Sequence, residues 1–255
     1  MAGPRLAAVI GSPVRHSLSP AMHNAVFAAE GLDWRFVRFE VVAGGADAAI
    51  AAMDVLGIGG YAVTMPHKRQ AAECVDEVDE AARALASVNT VVLRDDGTTF
   101  GASTDGQGFV DSVRAAGGEV SGERVVVLGA GGAARSIVDA LGRAGAADIA
   151  IVNRTVANAE RAAELAPVAR IGTTADIAAA ALLVNSTSVG MGTDAIPVDP
   201  TLLHAGLTVA DNVYHPLDTT LLRAARQAGA RTVDGLGMLV HQAILQQQLW
   251  TGRRP

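Results

Sequence analysis

The chain has 255 residues, 50% of them hydrophobic, and a formal net charge of -6, enough for one large core or two modest ones. Such hydrophobicity excludes a disordered chain, and the lack of any Lys/Arg run excludes the basic face of a nucleic-acid binder. One cysteine, Cys74, excludes an internal disulfide, and the six scattered histidines show no metal-ligand spacing.

Residues 1–5 lead straight into an apolar run too short for a signal sequence, and it lacks the charged lead. No stretch reaches the roughly 18 uninterrupted apolar residues of a membrane span, so a cytoplasmic protein is expected. Residues 6–10 predict a strand, 20–30 a helix, 34–41 a strand and 46–56 a helix. Residues 60–64 form a short strand stopped by Met65-Pro66, followed by helical pattern over 68–78 and 80–86. Two short strands, 90–93 and 99–101, flank the turn signal Asp95-Asp96-Gly97. A second unit is expected from Gly106, opening with a helix over 108–116. Residues 125–128 are a β-branched run suited to a strand buried on both faces, and a helix follows over 133–144. Then come a strand at 149–152, a helix at 157–165, strands at 181–185 and 207–212, and a helix at 217–228. A short strand at 231–233 and a long helix over 238–249 complete the chain. This alternation marks an α/β architecture with parallel strands.

The junction at residue 129 carries the strongest local signal. A buried strand runs directly into Gly129-Ala130-Gly131-Gly132-Ala133-Ala134 and then a helix, the pattern G-x-G-x-x-A in its required context. Gly129 permits the tight turn, Gly131 lets backbone approach a pyrophosphate, and Ala134 lets the helix pack on its strand. The free N–H groups and partial positive charge of the helix start suit the phosphates. The next strand ends at Asn153-Arg154-Thr155, about 20 residues on, where the adenosine ribose is read. An NAD site usually has a carboxylate there. Arg154 can instead clamp a 2′-phosphate, so NADP is expected.

The first half carries other polar residues at the edges of its elements. Thr64 ends a strand in Val63-Thr64-Met65-Pro66-His67-Lys68, and Asn89 opens one in Ser87-Val88-Asn89-Thr90. Asp105 lies in Ser103-Thr104-Asp105-Gly106 between the halves, and Ser17 and Ser19 share the loop His16-Ser17-Leu18-Ser19-Pro20. Singly, each has an ordinary reading: an exposed lysine, a turn or capping aspartate, a helix-start serine.

Together with the runs N-S-T-S-V-G-M, D-N-V-Y-H-P and D-G-L-G-M-L-V-H-Q, these motifs, in this order over nearly the whole chain, resemble the shikimate dehydrogenase family, quinate/shikimate relatives included. The resemblance implies an N-terminal α/β substrate domain over 1–105 and a Rossmann-type NADP-binding domain over 106–234. The C-terminal helix, 235–255, would return to the substrate domain, with the substrate in the cleft between the two. It implies Lys68 as catalytic lysine and Asp105 as its acidic partner. Ser17 and Ser19, assisted by Tyr214, would hold the substrate carboxylate. Thr64, Asn89, Asp105 and Gln242 would bind the ring hydroxyls. Gly129, Ala130, Gly131, Gly132 and Ala133 would hold the pyrophosphate, and Asn153, Arg154 and Thr155 the adenosine phosphate. Thr187, Asn212 and Gly235 would lie at the nicotinamide side, the last two through backbone.

The residue types suit ketone reduction. A lysine ammonium can stabilise a developing alkoxide and give it a proton, while Asn, Gln, Thr and Asp supply the donors and acceptors a polyol needs. The resemblance implies reversible NADPH-dependent reduction of 3-dehydroshikimate to shikimate, expected of a monomer or homodimer with no nucleic-acid or membrane partner. Alternatives are a quinate/shikimate or aminoshikimate dehydrogenase and, in a different class, a non-catalytic NADP-binding sensor. By the family's pattern, in which quinate-preferring members tend to carry other residues at these two positions, Ser19 and Arg154 imply shikimate over quinate. The sequence departs from the family pattern at Ser103, His215 and Asn158. At the last of these relatives often carry a further arginine.

Overall fold

The computed structural model describes residues 5–255. The start of the chain, read above for a targeting signal, lies largely outside the described residues. The chain divides into two compact units: one runs to Thr104 and resumes over Ala243–Pro255, the other is Asp105–Gln242.

The first unit is built on a six-stranded sheet in the order β2-β1-β3-β5-β6-β4. Its strands are β1 (Arg5–Gly11), β2 (Trp34–Glu40), β3 (Ile58–Val63), β4 (Glu77–Val78), β5 (Thr90–Leu93) and β6 (Thr99–Ala102). Strand β1 pairs in parallel with β2 and β3, whereas β5 runs antiparallel to β3 and β6, so the sheet is mixed. Helices α1 (Ser19–Ala29), α2 (Ala46–Ala51), α3 (Met53–Leu56), α4 (Lys68–Cys74) and α5 (Glu80–Leu85) connect the strands. Alternate residues of β1 feed two cores. Ala8 and Ile10 pack with Ile50, Met53 and Tyr61, while Ala7 and Val9 pack with Phe27, Phe36 and Trp250.

Two expectations fail here. The helix expected over 46–56 breaks at Ala52 into α2 and α3. The helix expected to reach residue 78 stops at Cys74, and Glu77–Val78 is a strand instead. The Asp76 carboxylate explains the latter. It accepts the Thr99 backbone N–H at 2.7 Å and the Thr99 hydroxyl at 2.8 Å, which draws the chain beside β6.

The second unit has a fully parallel sheet in the order β12-β11-β10-β7-β8-β9. Its strands are β7 (Arg124–Leu128), β8 (Asp148–Val152), β9 (Ala169–Ile171), β10 (Leu182–Asn185), β11 (Thr208–Asp211) and β12 (Arg231–Val233). The helices are α6 (Asp105–Ala115), α7 (Gly132–Arg143), α8 (Val156–Ala163) and α9 (Thr220–Gln227), and α10 (Gly235–Thr251) ends the fold. Strand β9 had no expected counterpart. One face of the sheet packs under α6 and α7 through Val110, Val127, Ile137 and Val184, the other under α9 through Val126, Leu183, Val209 and Leu221. Helices α6 and α10 start three residues before their expected positions. Their early turns are rich in glycine, which permits close crossings: Gly108 rests on the Gln242 backbone, and Gly237 on Ser112. Among the described residues no helix is long and apolar enough to cross a membrane.

Candidate functional site

In the second unit the chain order of strands reverses between β7 and β10, the place where doubly wound sheets bind ligands. The glycine turn stands there. Gly129 adopts φ 103, a conformation few side chains tolerate, and a Cβ would come within 2.8 Å of the Ser186 carbonyl oxygen. Its N–H donates to the Val152 carbonyl at 2.9 Å, tying the turn to the end of β8. Ala130 is buried, whereas Gly131, Gly132 and Ala133 are exposed where α7 begins. A Cβ on Gly131 or Gly132 would meet nothing within 4 Å, so open space lies beside the first turn of α7, whose first amides have no partner within the helix. An open backbone cradle at a helix start fits a pyrophosphate.

At the end of β8 the Asn153 side chain donates to the Thr155 carbonyl at 2.8 Å, shaping the turn that presents Arg154. Arg154 is exposed, and Thr155 caps α8 without using its hydroxyl for the cap. One turn further, the Arg161 guanidinium donates to the Asn158 side chain.

Past β10 and β11 lies a buried network that sequence reasoning did not single out. Asp211, 1% exposed, accepts from Asn185 Nδ2 at 2.9 Å, from the Val213 N–H at 3.1 Å and from the Thr219 hydroxyl at 2.7 Å. Burial raises the Asp211 pKa above the ordinary carboxylate range, against the opposing pull of these donors. Asn185 in turn receives the Thr187 hydroxyl at 2.7 Å and the Thr187 N–H at 3.1 Å. Thr187 and the segment from Asn212 are thus held by one carboxylate. The available signal was an Asn and an Asp ending two otherwise apolar strands. Gly235 opens α10 against the Asn212 and Val213 backbone, and Tyr214 is exposed. Asp105 begins α6. One turn later Gly108 meets Gln242, whose amide donates to the Leu239 carbonyl at 2.9 Å.

The first unit gathers Ser17, Ser19, Thr64, Lys68 and Asn89 on adjoining segments. The loops after β1 and β3 are joined by the Ser12 N–H on the Met65 carbonyl at 3.0 Å. Ser17 Oγ accepts the Ser19 N–H at 3.3 Å, and Arg38 holds the Ser17 carbonyl at 2.7 Å. The Lys68 carbonyl accepts the Val88 N–H at 2.9 Å, and the Asn89 carbonyl accepts the Val63 N–H at 2.7 Å, so α4, β3 and β5 meet at these residues. The Asn89 amide is buried, accepting the Thr104 N–H at 2.9 Å and donating to the Thr104 hydroxyl at 3.0 Å. Beside Lys68, buried His67 donates from Nε2 to the Val41 carbonyl at 2.8 Å, which anchors the start of α4. Asp105, Tyr214 and Gln242 belong to the other unit. Cys74 is half-buried, and burial raises its thiol pKa, as suits an inert side chain.

A parallel sheet of this order, with a glycine turn at its switch point and an arginine closing the next strand, defines a dinucleotide-binding unit of the Rossmann type. Known families agree along the chain. Residues 9–91 match the shikimate dehydrogenase substrate binding domain, 111–188 the shikimate / quinate 5-dehydrogenase family, and 235–255 the shikimate 5'-dehydrogenase C-terminal domain. The shikimate dehydrogenase (NADP(+)) of Rubrobacter xylanophilus is 43% identical, over 98% of this chain and 92% of its own. That of Symbiobacterium thermophilum is 45% identical, over 98% and 90%. Among solved structures, the Thermus thermophilus shikimate 5-dehydrogenase in complex with NADP(H) and shikimate has 35% identity and a TM-score of 0.91, covering 98% of this chain and 95% of that one. The 5-ketofructose reductase of a Gluconobacter strain has 34% identity and a TM-score of 0.92, covering 98% and 94%. The chain belongs to the shikimate dehydrogenase family.

Proposed function

We propose that the protein catalyses the reversible NADPH-dependent reduction of 3-dehydroshikimate to shikimate, a step of aromatic amino acid biosynthesis, in the cytoplasm as a monomer or homodimer. Fold likeness does not choose the substrate, since a ketofructose reductase is as similar in shape as a shikimate dehydrogenase. The observation that supports the reading is that the backbones of Lys68 and Asn89 meet β3 next to Thr64, with the loop after β1, which carries Ser17 and Ser19, bonded to the loop after β3 through Ser12 and Met65.

The glycine turn and the Asn153–Thr155 segment would hold NADPH, which supplies the hydride when bound. Lys68 stabilises the developing alkoxide and gives its proton to that oxygen. Thr64 and Asn89 orient the ring hydroxyls, and Ser17 and Ser19 hold the carboxylate. In the second unit Asp105, Gln242 and Tyr214 are assigned to the same substrate, Asp105 as the partner of Lys68. The test compares turnover of shikimate, quinate and aminoshikimate, each with NADP+ and NAD+. Shikimate with NADP+ is expected to give the highest kcat/KM. Faster turnover of either competitor would replace the substrate assignment, and absence of any shikimate-dependent NADPH formation would point to a binding protein without catalysis.

A further inference from the structure

Helix α10 ends in the first unit, where Ala243, Gln246, Gln247 and Trp250 form one buried face at the i, i+3, i+4, i+7 spacing of a core stripe. Two of those positions hold glutamine, 2% and 3% exposed. A buried amide is costly unless it is hydrogen-bonded, so the partners of these two show what the face is built to hold.

Gln246 and Trp250 tie α10 to the sheet. The Gln246 amide donates to the Asn89 carbonyl at 3.3 Å, and the Trp250 indole N–H to the Val91 carbonyl at 3.0 Å, both at the start of β5. Gly60 in β3 leaves room for the indole, which a Cβ there would overlap. Gln247 reaches the other way, to α1. Its amide nitrogen donates to His23 Nδ1 at 3.0 Å and to the His23 carbonyl at 3.3 Å. Because Nδ1 accepts, the neutral ring carries its proton on Nε2. Turning the Gln247 amide over would set its oxygen against the His23 carbonyl oxygen, so the bond has one sense.

His23 lies one turn after Ser19 on α1, and the Ser19 N–H donates to Ser17 Oγ at 3.3 Å. Next to His23, Asn24 exchanges bonds with the Phe36 backbone at 2.8 and 2.9 Å, which fixes α1 to β2, the outer strand of the sheet. The His23–Gln247 bond refers α1 to α10, and through Gln246 to Asn89. We propose that His23 and Gln247 are positioning residues of the substrate site. Their bond sets the distance between the Ser17–Ser19 loop and Asn89, the groups assigned to the substrate carboxylate and to a ring hydroxyl. A cyclic substrate fixes the spacing of its own carboxylate and hydroxyls, so a site that grips both must keep that spacing. Both residues are buried and act through the elements they join. The proposal rests on the reading of Ser17 and Ser19 as the groups that hold the carboxylate.

The test measures kcat and KM for shikimate and for its methyl ester, which lacks the carboxylate charge, in the full chain, with NADP+ binding followed by calorimetric titration. The unaltered protein is expected to favour the acid by about tenfold or more in kcat/KM, the worth of a charge-assisted bond. Equal use of acid and ester would remove the carboxylate assignment on which the proposal rests. Gln247→Met keeps the bulk of the side chain and removes the bond. It should raise the KM for shikimate roughly three- to tenfold, the effect of one lost hydrogen bond. Over the same change kcat and NADP+ affinity should hold within about twofold, and the preference for acid over ester should shrink by the factor seen in KM. His23→Phe combined with Gln247→Met removes both partners, leaves neither buried and unpaired, and so folds even where the single variant does not. Its KM should match that of the single variant, since both remove the same bond. A shikimate KM unchanged in both variants would overturn the proposal. So would an equal loss toward acid and ester carried by kcat, which marks a general loosening of the fold.

Discussion

His23 makes the stability of the first unit depend on pH in a calculable way. It is fully buried in α1, its ring stacked on Phe36 at 4.4 Å and tilted on Trp250 at 5.2 Å, with its Nδ1 accepting from Gln247 at 3.0 Å. Burial lowers its pKa from 6.5 to about 4, against a smaller upward pull from the Gln246 side chain. In the unfolded chain the imidazole takes up a proton near pH 6.5, while in the folded protein it resists until about pH 4. Between those values the unfolded state binds more protons, so stability falls as pH falls. Each pH unit costs about 1.4 kcal/mol, so the whole window is worth about 3 kcal/mol. The contribution is complete above pH 6.5 and gone by about pH 4.

His23→Phe keeps a ring in the stack, leaves Gln247 its bond to the backbone carbonyl at position 23, and cannot titrate. Both tryptophans, Trp34 and Trp250, lie in this unit, so urea unfolding followed by tryptophan fluorescence reports on it. The stability difference between parent and variant should stay level from pH 8 to 7, then shift by about 2 kcal/mol against the parent by pH 5. A difference constant to within about 0.5 kcal/mol over that range would refute the reasoning, because His23 would then titrate alike in both states.

Lys68→Ala should lower kcat for shikimate oxidation by about 10²-fold or more, with NADP+ affinity by titration little changed; near-normal turnover would remove Lys68 from the chemistry. Arg154→Asp should weaken NADPH binding far more than NADH binding, since a carboxylate repels a 2′-phosphate, and equal effects would sink the assignment. Gly106→Ala should destabilise the second unit by about 1–3 kcal/mol, because a Cβ would overlap the Ser136 carbonyl oxygen where α6 crosses α7. Thermal unfolding by circular dichroism measures this, and an unchanged midpoint would show that the crossing is looser than described.

Some of this architecture was legible in sequence because its causes are local. A strand buried on both faces reads as the run Val125-Val126-Val127-Leu128, and a phosphate turn reads as closely spaced glycines. Arg154 is legible for the same reason, as the residue closing the very next strand. The early turns of α6 and α10 were not legible, because glycine opposes helix and only the partner helix explains it. The strand at Glu77–Val78 was hidden too. Its cause, the pairing of Asp76 with Thr99, spans 23 residues.

Residue types suited to ketone reduction, and an arginine suited to a phosphorylated dinucleotide, were thus legible in the sequence itself. Tertiary structure alone decided which polar groups are paired and which are left without a partner. Asn185 and Ser186 are neighbours in one motif, as are Asp211 and Asn212. Yet one pair is locked in a buried network, while Ser186 Oγ and Asn212 Nδ2 have no partner. The difference arises from strand register, which turns consecutive side chains to opposite faces and is set by pairing between segments 26 residues apart.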